Sequence, residues 1–479
     1  MITILGLHLH TRVKKDLLLL LNNHHDFVPT QLLVAQIGYA NQYVVKKALN
    51  ELLEEIRDAF DPEELSLKIN KHRGVHLYSR DGNLYDALNM IMSKDTGYLI
   101  LITILIKRNV PTSDLCDTLF ISESSLRRRI KDINQQMAFY DLRLTFSKTI
   151  RLHGPEHHIR ILTFSLIFYI HRTLAGLPFS VDIQPYNTLA HQVSQQLQLQ
   201  TNSHQETILA MLLFVADPAI RGGKHVILPI QQLLFYQDML IPDKPAFLSH
   251  WSPDDWSFLF IAILSADWAG FSLDINLPKT INEAQTAPSQ SWLLAFETVF
   301  GEIRSERSRA ISQINRQLLA NLFFRLDDAL FELFHLNDYQ NIQRLYPAYT
   351  KTFEGAWTIF VTQHPEFDTH YAKQTNLLLC VYLFPIQHVL PEIHLYNHSY
   401  VPMTMKHYIE ERVKGHFFDR CKIRFMEHIE EADLIIGTHK VEATQAVHQQ
   451  TVIIEASLSA CDLARIEQAI EGLIYAKVD

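Results

Sequence analysis

The sequence predicts a multidomain, mainly α chain: two winged helix-turn-helix units, two helical bundles and a small C-terminal α/β domain. Three observations carry that prediction. Leu115–Asn134 (LCDTLFISESSLRRRIKDIN) has the spacing of two short helices joined by a tight turn, and Leu33–Leu52 (LVAQIGYANQYVVKKALNEL) repeats it without a gap, 82 residues earlier. Each copy precedes an alternating apolar–polar segment, the pattern of a β-hairpin. Helical periodicity then runs from about Glu156 to Pro385, after which short apolar strands alternate with helices.

Length and composition set the frame. At 479 residues the chain exceeds one hydrophobic core, since domains run to roughly 150 residues. Its 47% apolar and 20% charged residues are those of an ordinary globular protein, and 15 glycines are too few for glycine-rich nucleotide loops or an all-β fold. The longest apolar runs, Tyr98–Ile106 and Leu377–Ile386, fall short of the roughly 20 residues that span a bilayer. The first residues lack a basic n-region and a small-residue cleavage site, so neither a secretory signal nor a membrane partner is expected. Cys116, Cys380, Cys421 and Cys461 are too dispersed for a metal cluster and too few for a disulfide scaffold, which makes the cytoplasm the expected location.

The first unit, residues 1–80, centres on Leu33–Leu52. In the gapless register Leu33 matches Leu115, Ile37 matches Leu119, Ala40 matches Ser122, Val44 matches Leu126 and Ala48 matches Ile130. Its second helix turns Tyr43, Lys46, Lys47 and Asn50 outward, with acidic Glu51, Glu54 and Glu55 following. Leu65–Ser79 (LSLKINKHRGVHLYS) alternates around Arg73–Gly74, placing Lys71 and Arg73 at a hairpin tip.

The second unit, residues 81–155, is the more cationic. Ser122 is the expected N-cap, and Leu126, Ile130 and Ile133 form an apolar stripe. At about 100° per residue, Ser124, Arg127, Arg128 and Lys131 lie opposite, with Arg129 on the margin. Leu142–His153 (LRLTFSKTIRLH) is the second hairpin, with Lys148 and Arg151 on or near its tip. A capped helix with a cationic outer face and a following wing suits the DNA major groove, wing cations meeting phosphates. The plain alternative is a solvated face of ordinary surface arginines. Charge distribution favours double-stranded DNA as the partner. Through Arg160 there are 21 Lys+Arg against 18 Asp+Glu (+3), leaving 43 − 21 = 22 against 52 − 18 = 34 beyond it (−12). The second unit is expected to supply more affinity, because phosphate neutralisation dominates that quantity.

Two bundles follow, at 156–284 and 285–389. Ile159–Leu174, Tyr186–Leu199, Thr207–Ala216, Val226–Met239 and Trp256–Asp267 have helical spacing; Lys279–Gln290 reads as a linker. Trp292–Arg304, Ala310–Leu336, Asn341–Thr352 and Phe367–Phe384 repeat the plan. In residues 390–479, Glu392–Tyr396, Cys421–Met426, Ala432–Gly437 and Thr451–Ile454 are strands, and Thr404–Gly415 and Ala460–Ala476 are helices, so a mainly parallel sheet is expected.

This order resembles the Mga/AtxA family of transcription regulators from Gram-positive bacteria, most specifically at LFISESSLRRRIKDIN and at the wing exit Ile150–Arg160 (IRLHGPEHHIR). The resemblance covers essentially the whole chain, although the bundles match by length and position more than by motif. It implies that the bundles are PRDs, regulatory domains phosphorylated on histidine by general proteins of the sugar phosphotransferase system. It implies a C-terminal domain resembling enzyme IIB of that system, and a homodimer formed through it.

An enzyme IIB domain carries phosphate on a cysteine after its first strand. Here that position falls on Asn397, which cannot act as a thiolate, so phosphotransfer is expected to be lost; a slip of one would offer Tyr396 or His398. Among 25 histidines, His191 and His204 in the first bundle and His364 and His370 in the second are the phosphorylation candidates, each against the plainer reading of a structural histidine. His153, His157 and His158 match no zinc-finger spacing, so no metal is expected. No Walker loop, GxSxG or HExxH occurs, so neither an enzyme nor a cofactor is expected. Two other readings remain: a phosphotransferase phosphocarrier, and a PRD-type RNA-binding antiterminator, which would begin with a β-sheet domain rather than helix-turn-helix patterns.

Overall fold

A computed structural model describes residues 6–80, 84–228, 241–265, 287–303, 307–324, 330, 339–440 and 450–478. The chain divides into two compact units, Met1–Pro278 with Phe323–Phe334 and Lys279–Leu322 with His335–Asp479.

The first unit opens on α1 (Leu9–Asn22), α2 (Thr30–Ile37), α3 (Gln42–Ala59), β1 (Leu65–Asn70) and β2 (Gly74–Ser79). Val13, Leu17 and Leu21 of α1 share one core with Leu33, Val45, Leu49 and Leu52 and with Leu65, Leu67 and Leu77 of the hairpin. Then come α4 (Leu84–Lys94), α5 (Thr96–Lys107), β3 (Asn109–Pro111), α6 (Thr112–Leu119), α7 (Glu123–Met137), β4 (Arg143–Thr145) and β5 (Thr149–His153). The sheet of this second copy has three antiparallel strands, in the order β3-β5-β4. Val110 of β3 pairs with Ile150, and in the first copy Val28, 82 residues earlier, exchanges both backbone hydrogen bonds with Val75. Gly74 is required there: its φ is +104°, and a Cβ would lie 2.0 Å from the Val28 carbonyl oxygen.

The gapless register of the two copies needs correction. The first helices align at a spacing of 82, α2 with α6, but the turn before α3 holds one residue more than the turn before α7. The N-caps are Asn41 and Ser122, so the buried stripes pair Val45 with Leu126, Leu49 with Ile130, Leu52 with Ile133 and Ile56 with Met137. Ala40, Val44 and Ala48 are thus each one position off the partners expected for them.

Beyond the wing, α8 (Glu156–Leu166) runs into a π-helical turn, Ile167–His171, followed by α9 (Gln184–Gln196), α10 (Ser203–Arg221) and α11 (Pro253–Ser265). The helix expected from Val226 is not present at Val226–Leu228, where Asp255 instead holds the Val226 amide at 3.0 Å. The rest of that segment, 229–239, lies outside the described residues, as do 266–267 of the last helix expected for this bundle.

The second unit contains α12 (Ala287–Phe300), α13 (Arg307–Phe323), α14 (Tyr339–Leu345), α15 (Pro347–Gln363) and α16 (His370–Leu383). The expected linker lies outside the described residues at 279–286, and its remainder, 287–290, is helix; Pro288 is tolerated because the first turn needs no donor from it. Asn341–Thr352 is two helices rather than one. Pro347 opens the second, and proline pushes the residue before it, Tyr346, out of the α region. Arg304, 325–329 and 331–336 of the expected helices lie outside the described residues. Inside this region Trp292 stacks on Phe296 at 3.9 Å and donates to Asn376, which donates to Asn321, so the buried polar groups satisfy one another.

The terminal domain follows the expected alternation: β6 (Glu392–Asn397), α17 (Met403–His416), β7 (Lys422–Phe425), β8 (Leu434–Gly437), β9 (Gln450–Ile453) and α18 (Ala460–Val478). All pairings are parallel, in the order β7-β6-β8-β9, around a core that includes Ile393, Leu395, Ile409, Leu434 and Ile466. Among the described residues no single helix is long and apolar enough to cross a membrane.

Candidate nucleic-acid interface

Both second helices start on a side-chain cap. Asn41 Oδ1 accepts from the Val44 amide at 3.0 Å, and Ser122 Oγ accepts from the Ser125 amide at 3.2 Å. Counted from these caps, the outward residues coincide: Tyr43 with Ser124, Lys46 with Arg127, Lys47 with Arg128, and Asn50 with Lys131. All eight are exposed, Tyr43 to 75%.

Arg129 departs from expectation. It is half-buried and turned toward the N-terminal segment, donating to the Gly6 carbonyl at 3.5 Å and pairing closely with His8 Nε2. Burial lowers the Arg129 pKa, and burial followed by Arg129 lowers that of His8. The structure therefore removes Arg129 from the outward face, because the turn that points Ala48 into the first core points its counterpart at the chain's own N-terminus.

The acidic residues of α3 are also better placed than the sequence suggests. Glu51 and Glu55 both hold Lys14 of α1, at 2.8 and 3.0 Å. Burial alone would raise the Glu51 pKa, but Lys14 more than offsets it and the carboxylate stays below its ordinary range. Part of this acidic charge is therefore offset within the unit by Lys14.

Lys71 and Arg73 occupy the first wing tip, both exposed; Arg73 is held by Asp26 at 3.0 Å and lies 4.5 Å over the Phe27 ring. Lys148 is exposed at the second tip, while Arg151 lies within β5, opposite Asn109 and Thr145, facing outward rather than at the tip. The wing is fixed to α7 by Asn134, whose Nδ2 donates to the Leu144 carbonyl at 2.9 Å and whose Oδ1 accepts the Leu144 amide at 2.7 Å. Sequence reasoning missed Asn134 because one asparagine on a polar helix face carries no sign of a bridge. It also missed exposed Arg143 on β4, although the alternation of LRLTF turns it outward.

The histidines divide. His191 on α9 is exposed, with Glu206 3.7 Å and Gln195 2.9 Å from its ring nitrogens; His204 at the start of α10 is exposed, with no ring partner among the described residues. His370 is exposed beside Gln374 at 2.7 Å. His364 differs from the other three candidates: its side chain is only 15% exposed, packed against Phe360 and Phe367 just past the end of α15, which disfavours it as a phosphoacceptor. Asn397 closes β6, buried, its amide 3.2 Å from Glu410 Oε1.

Residues 82–167, from α4 through α8 into its π turn, match the family model of the Mga helix-turn-helix domain. No curated protein matches the chain at the level of sequence. With α7, its cap and its wing inside the matched residues, residues 82–167 are similar to the Mga helix-turn-helix domain, which supports a DNA-binding regulator of transcription.

Proposed function

We propose that the protein binds duplex DNA through both helix-turn-helix units, as a homodimer, under control of histidine phosphorylation by phosphotransferase proteins. The observation that carries the two-reader part is the coincidence of four exposed positions on α3 and α7, each counted from its own N-cap. Tyr43, Lys46, Lys47 and Asn50 on one helix, and Ser124, Arg127, Arg128 and Lys131 on the other, are the proposed groove contacts. Lys71, Arg73, Lys148 and Arg151 supply phosphate contacts from the wings.

Dimerisation is assigned to the terminal domain. Supporting it are the large apolar side chains this domain exposes, Tyr400 at 71%, Met403 at 78% and Phe418 at 68%. Phosphorylation is assigned to His191, His204 and His370, which combine exposure with a place on a helix; it rests on the family resemblance. Asn397 in place of a cysteine speaks for a binding rather than a catalytic role for the α/β domain. The proposed location is the cytoplasm, and neither enzyme activity nor cofactor enters this reading.

The test is DNA affinity against salt concentration for the full chain and two double variants, Arg127→Ala/Arg128→Ala and Lys46→Ala/Lys47→Ala. Each is expected to lower the log–log salt slope by about 2. An unchanged slope for the α3 variant would leave α7 as the sole reader; unchanged slopes for both would defeat the assignment of these faces.

A further inference from the structure

Between the exit of the second wing and the loop after α10 lies a cavity of about 460 Å³, walled by Arg108, His153, Glu156, His157, Lys224 and His225. Arg108 is 7% exposed; its Nη2 donates to Glu156 Oε1 at 2.9 Å, while among the described residues Nε and Nη1 have no partner. His157, equally buried, leaves Nδ1 without a partner among the described residues. Buried donors without acceptors cost free energy that a suitable ligand recovers.

The local charges favour an anion. Glu156 is shared by two guanidiniums, since Arg160 Nε also reaches it at 3.1 Å. Asp255, which pairs with the lining residue His225 at 2.6 Å, is also engaged by Arg160 at 2.8 Å. Each carboxylate thus already has a guanidinium partner, while Lys224 stands exposed at the edge. The first turn of α8 forms part of the same wall at Pro155 and Glu156, adding the positive end of a helix dipole. Burial, with His158 and Arg160 nearby, holds His157 down at a pKa of about 4, so its ring is neutral and offers a hydrogen bond rather than charge.

We propose that this cavity binds a small phosphate-bearing molecule, with the phosphate held by Arg108 and Lys224 at the start of α8. A phosphate group brings three acceptor oxygens and up to two negative charges, against the two oxygens and single charge of a carboxylate, so it can meet Arg108 and Lys224 at once. The volume leaves room for an organic remainder against Leu152, Ile159 and Ile227. An occupant would touch both the strand that ends the wing and the loop that follows α10.

The experiment is calorimetric titration of the full chain with inorganic phosphate, glycerol 2-phosphate and malonate at constant ionic strength. Saturable one-to-one binding of both phosphates is expected, weakened about tenfold or more by Lys224→Gln and by Arg108→Gln. Lys224 is exposed, so its variant tests the site even if Arg108→Gln disturbs folding through the lost Glu156 pair. Absence of saturable phosphate binding below roughly 10 mM, or equal affinity in Lys224→Gln, would overturn the site. Malonate binding as tightly as phosphate would overturn the phosphate assignment.

Discussion

The guanidinium of Arg127 lies 4.5 Å over the ring of Phe146, so an outward residue of α7 rests on the tip of its own wing. Glu123, one turn earlier, is 3.6 Å from the same guanidinium, but both side chains are exposed and that pair contributes little. The stacked ring restricts where Arg127 can reach. Phe146→Ala is expected to weaken DNA binding about two- to fivefold, the equivalent of an exposed cation–π contact of about 0.5–1 kcal/mol. Phe146→Ala combined with Arg127→Ala should add nothing to Arg127→Ala alone; additive losses in that double-variant cycle would show that the two residues act independently.

Asn134 offers a sharper test of how the wing is held. Replacing it with Ala removes both hydrogen bonds to the backbone of Leu144 and leaves a partly buried carbonyl and amide unmatched. A loss of about 1–3 kcal/mol in unfolding free energy is expected, together with weaker DNA binding. Denaturant melts identical to those of the unaltered chain would show that water replaces the bridge at no cost.

Arg129 separates stability from binding. Its contacts with Gly6 and His8 predict that Arg129→Ala lowers thermal stability, by roughly 1 kcal/mol, without changing the salt slope of DNA binding. A slope reduced by about 1, as for a phosphate contact, would place Arg129 back on the DNA face.

His171 ties the π turn to α5 and α4, its ring 2.6 Å from the Tyr98 hydroxyl and 2.8 Å from Asn89 Oδ1. Burial pushes its pKa down to about 4. The unfolded histidine, near 6.5, takes up a proton that the folded one refuses, so stability is full above about pH 6.5 and falls as the pH drops toward 4. The contribution is up to about 3 kcal/mol, and His157 acts in the same direction. His171→Gln should flatten the stability profile between pH 6.5 and 4 while lowering its plateau. A profile as steep as before, measured by chemical denaturation, would assign the slope elsewhere.

Much of the architecture was legible because it depends on local periodicity. The Ser122 cap, the apolar stripe of α7, both hairpins and the strand–helix alternation of the terminal domain all come from short-range spacing. Failures occurred where the signal was a single residue. One extra residue in the turn before α3 shifted the register of the repeat, and Pro347 divided a continuous apolar pattern into two helices. Strand β3 was missed because three residues carry no readable alternation.

By itself, the sequence determined that two helices with polar outer faces, each followed by a hairpin, recur in one chain, since 3.6-residue and two-residue periodicities are properties of neighbouring residues. Tertiary structure decided which charges those faces present. It turned Arg129 inward to Gly6 and His8, set Glu51 and Glu55 against Lys14, laid Arg127 on Phe146 and left two of the Arg108 nitrogens without acceptors among the described residues, beside a cavity. Each of these depends on a partner distant in sequence, and a charge's availability is set by burial and by what lies within a few ångströms of it.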